Sequence, residues 1–225
     1  LYHCDRLGYI VWGEHGNWGL DLSKPTCWAG FLPEWLEILQ RDYNHPSIVG
    51  WCPLNETQKN QDPDFVRALG AVNRAFDPTR AYIDTSGWTH VHHVSDFMDV
   101  HDYDQNPETF NQRYLDVANG TPVFKKDRLR APIFPRFISE YGGIKWVSDE
   151  SIKSWGYGKD VKTPEEFADR YVGLTDVIVE NYKMFGFCYT QLTDVEQEQN
   201  GLYTYDRQIK FPAEEIHKIF SRKAA

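Results

Sequence analysis

Residues 47–57 read SIVGWCPLNET, and the reading of this stretch decides the fold. The run SIVGWCPL (47–54) has no charged side chain on either face, which is the pattern of a strand buried in the middle of a parallel sheet covered by helices. It stops abruptly at Asn55 and Glu56. A carboxylate at the mouth of a buried strand is costly to desolvate, so Glu56 is either a chemical group or a solvated residue that starts a loop.

Outward from this run the same pattern repeats. Further strand candidates are GYIVWGE (8–14), RAYIDTS (80–86), DFMDVHDY (96–103), RFISEYG (136–142) and GFCYTQL (186–192), all short, rich in β-branched or aromatic residues and bounded by Gly, Pro, Asn or Asp. Helical patterns at 31–43, 62–76, 107–118, 163–184 and 212–222 lie between and after them. Asp62 before Pro63 and Thr163 before Pro164 are placed to cap two of these helices. Alternating strands and helices imply an α/β fold with a parallel sheet, either doubly wound or closed into a barrel. The turn after the first strand, WGEHGNWG, lacks the G-x-G-x-x-G order of a dinucleotide-binding sheet, which favours the barrel.

The 225 residues, 41% hydrophobic and 15% aromatic, suffice for one large domain spanning 1–225. A formal net charge of -9, with 24 Lys and Arg scattered along the chain, repels phosphate backbones and excludes nucleic acid as a partner. No apolar run is long enough to span a bilayer, so no membrane partner is expected, and the compartment is left open. The four cysteines have no metal-type spacing, and Cys52 and Cys188 read as reduced thiols packed in strands. His90, His92 and His93, beside Trp88, do not form a closed zinc pattern; neither metal nor cofactor is expected.

The acids give a stronger signal. Glu14, Glu56, Asp102 and Glu140 each stand where an apolar run ends, and Asp194 follows the last one. In a barrel the carboxyl ends of all strands meet on one face, so these acids would share a pocket. Glu56 and Glu140 lie roughly three strand–helix units of ~30 residues apart, which suits strands facing each other across it.

RDYNHPSIVGWCPLNE (41–56), followed by FISEYGG (137–143) and GFCYTQLTDVEQEQNGLYTYDR (186–207), resembles the catalytic (β/α)8 TIM barrel of glycoside hydrolase family 2, the β-galactosidase, β-glucuronidase and β-mannosidase group. The resemblance implies that Glu56 is the general acid/base and Glu140 the nucleophile of a retaining β-glycosidase. It further implies that Asn55 contacts the sugar 2-hydroxyl, that Tyr103 orients the nucleophile, and that His101 and Asp102 touch the sugar. Tyr189 takes the place of an aromatic platform at the last strand, which Trp12, Trp18, Trp28, Trp146 and Trp155 would extend, with Trp51 in the core. Retaining hydrolysis needs two carboxyl groups ~5–5.5 Å apart in opposite protonation states, and mutual repulsion is expected to split such a pair, Glu56 carrying the proton and Glu140 the charge.

Family glucuronidases hold the sugar carboxylate with an Asn-x-Lys pair before the glycine that follows the last strand. Glu198, Gln199 and Asn200 precede Gly201 here, and an acid in place of the cation points to a neutral β-glycoside, a β-galactoside first. Against the family pattern the sequence opens at what reads as the third strand, giving about six of eight strand–helix units. The expectation is therefore the C-terminal portion of a barrel whose open strand edges could pair with a second copy as a homo-oligomer. The alternative is an inactive piece, or a carbohydrate-binding module, of a larger β-glycosidase.

Overall fold

The computed structural model describes residues 1–87, 89–91, 94–118, 136–147, 153–181 and 184–222. The chain divides into two compact units, one built on Leu1–Asp99 and the other running from Val100 onward with Arg136–Ala225.

The first unit holds helix α1 (Tyr2–Leu7), strand β1 (Val11–Glu14), helix α2 (Pro25–Asp42), strand β2 (Ile48–Cys52), helix α3 (Pro63–Phe76) and strand β3 (Ala81–Tyr82). Its sheet has the order β1-β2-β3, with both pairings parallel. The uncharged run SIVGWCPL supplies the central strand, β2, of this sheet. Trp51 on β2 is fully buried and packs edge-on against Trp35 of α2. Its indole N–H reaches Asp77 Oδ2 at 2.9 Å, and Arg80 reaches the same oxygen at 2.6 Å, so a buried carboxylate is matched by two donors. Burial would raise the Asp77 pKa, but hydrogen bonds from Thr79, Trp51 and Arg80 outweigh it and hold it well below the usual range.

The second unit holds the end of strand β4 (Met98–Asp102), helix α4 (Pro107–Ala118), strand β5 (Arg136–Gly142), helix α5 (Pro164–Val179), strand β6 (Met184–Thr190) and helix α6 (Ala213–Phe220). Its sheet has the order β4-β5-β6, and β5 runs parallel to β6. The aromatic cluster of Phe110, Tyr141, Phe167, Tyr171 and Tyr189 fills the space between this sheet and its helices. Gly142 is required there: its φ is 79°, and a Cβ would drive into the Tyr189 ring.

The caps form as the sequence foretells. Asp62 accepts the N–H groups of Asp64 and Phe65, and Thr163 accepts that of Glu166. Three features depart from expectation. Helix α1 precedes the first strand; helix α2 starts at Pro25, ahead of residue 31; and α5 ends at Val179. The six strands among the described residues form two three-stranded sheets, with no ladder from β3 to β4. Beside β3 backbone and side-chain partners are mixed: Tyr82 N–H donates to Asp96 Oδ2 at 2.8 Å, Asp96 N–H to Tyr82 C=O at 2.8 Å and Asp84 N–H to Ser95 Oγ at 2.9 Å.

Candidate active site

In the first unit, Pro53 and Leu54 carry the chain out of β2 to the Asn–Glu pair. A parallel bridge joins Asn55 to Ser86. Glu56 N–H donates to Ser86 C=O at 2.8 Å, and Ser86 N–H donates to Leu54 C=O at 2.7 Å. Glu56 is held at φ 48°, a left-handed conformation that a side chain bearing a Cβ rarely adopts. Such strain persists where the surroundings over-determine it, commonly at functional positions. Asn17 reinforces the turn, its Oδ1 accepting Asn55 N–H at 2.6 Å. The Asn55 side-chain oxygen is buried with no hydrogen-bond partner among the described residues, so it is available to a ligand hydroxyl. Asn55 and Glu56 open onto a small hollow that Asn17, Trp18, Leu20 and Gln61 also line. Trp18 is 76% exposed at its edge.

Behind this turn lies a cluster in which His90 meets two aspartates that no motif joins to it. Asp84 and Asp99 have fully buried side chains and flank His90, with Nδ1 2.9 Å from Asp84 Oδ1 and Nε2 3.4 Å from Asp99 Oδ1. The available signal was TSGWTH (85–90), which brings a histidine back onto the aspartate at the end of β3. Trp88, His92 and His93 lie outside the described residues.

In the second unit, alternation along β4 decides the faces. His101 and Tyr103 point one way, toward Glu140 on β5. The Tyr103 hydroxyl donates to Glu140 Oε2, and His101 Nδ1 stands 3.4 Å from the same oxygen. Burial, and then the Glu140 charge, raises the Tyr103 pKa far above its ordinary value, so the phenol keeps its proton and acts as a donor. Its ring stacks on Tyr157 at 3.6 Å with the planes 2° apart, and the Thr190 hydroxyl of β6 is a further partner. Tyr157 belongs to no motif and Thr190 stands in the 186–207 stretch with no role assigned to it, and only folding brings them to the nucleophile candidate.

Two expected sugar contacts are placed elsewhere. Asp102 faces α4, where Arg113 pairs with Oδ1 and the Tyr114 hydroxyl donates to Oδ2 at 3.1 Å. It is an anchor for that helix because a strand turns successive side chains to opposite faces. Tyr189 is likewise a core residue, buried among Tyr141, Phe167 and Tyr171, its hydroxyl accepting Ile144 N–H and donating to Asn200 C=O. The same alternation leaves Cys188 exposed, while Cys52 is buried; all four cysteines are free. Of the tryptophans, Trp18 and Trp155 are exposed, whereas Trp28 stacks on Phe65 and Trp146 packs on Phe211.

After β6, Asp194 is buried and accepts from Lys210 Nζ and Gly201 N–H at 2.7 and 2.9 Å. Asn200 donates to Glu198 at 3.1 Å. The buried cation of this loop is thus already neutralised by Asp194.

The family model described as "Glycosyl hydrolases family 2, TIM barrel domain" matches residues 4–224. The β-galactosidase of Thermoanaerobacterium thermosulfurigenes is 30% identical over 147 residues, covering 64% of this chain and 18% of that enzyme. Rat β-glucuronidase is 33% identical over 85 residues, 36% of this chain and 13% of its own. Among solved structures, a β-galacturonidase from Eisenbergiella tayi superposes with a TM-score of 0.74 at 17% identity, over 99% of this chain and 42% of that one. β-Glucuronidase 2 of Bacteroides uniformis gives 0.71 at 18%, over 93% and 28%. These likenesses support the barrel-type fold, and the chain spans less than a fifth of the length of the curated relatives it matches. No described helix is long and apolar enough to cross a membrane.

Proposed function

The chain belongs to the TIM barrel domain of glycosyl hydrolases family 2, and from that premise we propose that it carries both catalytic carboxylates of a retaining β-glycosidase. Glu140 is the nucleophile, Glu56 the acid/base, and Asn55 the contact to the sugar 2-hydroxyl. In the first step a Glu140 oxygen attacks the anomeric carbon, the bond to the leaving oxygen breaks, and Glu56 donates its proton to that oxygen. In the second, Glu56 takes a proton from water, which attacks the anomeric carbon and releases Glu140.

The observation that carries this reading is the donor set on Glu140. Tyr103 donates to Oε2, and His101 approaches it, so the carboxylate is oriented for attack. The hollow at Asn55 and Glu56 supports the other half, because a proton donor must stand beside the departing group.

The substrate is a neutral sugar, a β-galactoside first. Support comes from the loop after β6, where Glu198 and Asn200 bond each other and Lys210 is committed to Asp194, so neither offers a free cation to a uronate.

The test is turnover by the intact protein of aryl β-galactoside against aryl β-glucuronide, together with trapping by a 2-deoxy-2-fluoro-galactoside. The galactoside should be preferred and the trapped sugar should map to Glu140 by peptide mass spectrometry. An adduct on another residue, or none with turnover intact, overturns the nucleophile assignment, and preference for the glucuronide overturns the neutral substrate.

A further inference from the structure

Three buried ionisable groups in the first unit have no part in the hydrolytic scheme: Asp84, His90 and Asp99. Two carboxylates share one imidazole, so the cluster retains negative charge even when His90 is protonated, and burying charge is costly. Backbone and hydroxyl donors offset that cost, and their places in the chain are informative. Asp84 accepts the N–H of Thr85 and of Val91, and the Ser95 hydroxyl. Asp99 accepts the Ser86 hydroxyl at 2.8 Å and the Gly87 N–H at 3.1 Å. Residues 85–87 are therefore clamped from both sides by the cluster. They are also the segment that flanks 54–57: Ser86 bonds Leu54 and Glu56, and the Thr85 and Thr57 hydroxyls meet at 3.0 Å.

We propose that Asp84, His90 and Asp99 are positioning residues for hydrolysis, which immobilise Ser86 and through it hold Glu56 in the left-handed conformation that aims its carboxyl at the leaving group. The inference rests on the reading of Glu56 as the acid/base. Its physical basis is that the backbone of Glu56 is strained and its N–H is tied to Ser86 C=O. If Ser86 is loosened the strain relaxes and the carboxyl swings, and a displacement of ~1 Å at a reacting group costs on the order of 100-fold in rate.

The cluster is charged where the enzyme would work. Burial would lower the His90 pKa, but the Asp84 hydrogen bond and the charges of Asp84 and Asp99 outweigh it and raise it to about 9. The neighbouring Cys52 thiol is pushed up by burial and then by the charges of Glu14, Asp99 and Asp84, and the Tyr82 hydroxyl by burial and then by the Asp84 charge, so both stay neutral.

Leaving-group dependence separates positioning from folding. The intact protein and its His90→Gln and Asp99→Asn variants are assayed on β-glycosides whose leaving groups run from dinitrophenol, which needs no proton, to an alkyl alcohol, which does. The expected result is a loss of roughly 10–100-fold in kcat/KM for the alkyl glycoside with little change for the dinitrophenyl one. The alkaline limb of the pH profile should also move in His90→Gln. An equal loss on every substrate, or turnover like the parent's, overturns the proposal. Should those variants fail to fold, Ser86→Ala removes one bond to Asp99 and leaves the charges in place. It should show the same selective loss, smaller in size, and uniform behaviour would again overturn the idea. Glu56→Gln run through the same series distinguishes the two readings: if it is not selective the acid/base assignment fails, and if it alone is selective the positioning role fails.

Discussion

The Tyr103 hydroxyl, on the segment leaving β4, donates a hydrogen bond to Oε2 of Glu140 on β5. The two residues lie far apart in the chain, and the bond joins a carboxylate to a half-buried phenol. In the proposed scheme this bond orients the Glu140 carboxylate for attack.

Tyr103→Phe removes that donor while keeping the ring stacked on Tyr157. A hydrogen bond to a charged group is worth ~1.5–3 kcal/mol, so kcat should fall roughly 10–100-fold with a small change in KM. Steady-state kinetics on an aryl β-galactoside checks this, and an unchanged kcat would mean that Tyr103 is no more than a packing residue.

Asp102 and Arg113 form a pair in which the carboxylate is almost fully buried. Breaking a buried pair from one side costs ~3–5 kcal/mol, so Asp102→Ala should lower the melting temperature sharply. Sugar affinity, measured on whatever fraction stays folded, should hold. The reverse outcome, a stable protein with weakened sugar binding, would restore Asp102 as a substrate contact.

Tyr189 gives a parallel case. Tyr189→Ala opens a cavity between β5, β6 and α5, and such truncations cost ~3–5 kcal/mol. Urea unfolding should register the loss, whereas Tyr189→Phe should cost about 1–2 kcal/mol, because it strips the hydroxyl from Ile144 N–H and Asn200 C=O.

The Asp84–His90–Asp99 cluster should make stability fall with alkali. The folded pKa of His90, about 9, lies above its ordinary 6.5. Its stabilising contribution is then complete below pH ~6.5, shrinks as pH rises, and is gone once pH passes ~9. Thermal unfolding at pH 6, 7.5 and 9.5 should show a decline that His90→Gln flattens, and parallel curves for the two proteins would contradict it.

Trp18 stands exposed at the edge of the hollow that holds Glu56. If leaving groups rest there, Trp18→Ala should raise KM for aromatic glycosides by roughly 3–10-fold, the worth of one ring stacking contact of ~0.5–1.5 kcal/mol. Release of the glycosyl group to water, read by pre-steady-state kinetics, should not change, because the leaving group has gone by then.

The sequence by itself determined the alternation of strands and helices and the caps at Asp62 and Thr163, and it put Asn55, Glu56, Tyr103 and Glu140 forward as site candidates. Each of these depends on neighbours within a few positions or on a short motif, so it can be read along one stretch. The roles of Asp102 and Tyr189 were decided by tertiary structure alone. Both carry the right chemistry at the right strand end, but the facing of a side chain depends on register and on which partner fills the space behind it: Arg113 and Tyr114 for Asp102, the α5 aromatics for Tyr189. The same holds for Tyr157 and Thr190 at Tyr103, and for His90 between two aspartates. Such groups become partners only when separate loops close on one another, and a buried charge cluster has no periodicity by which a linear chain could announce it.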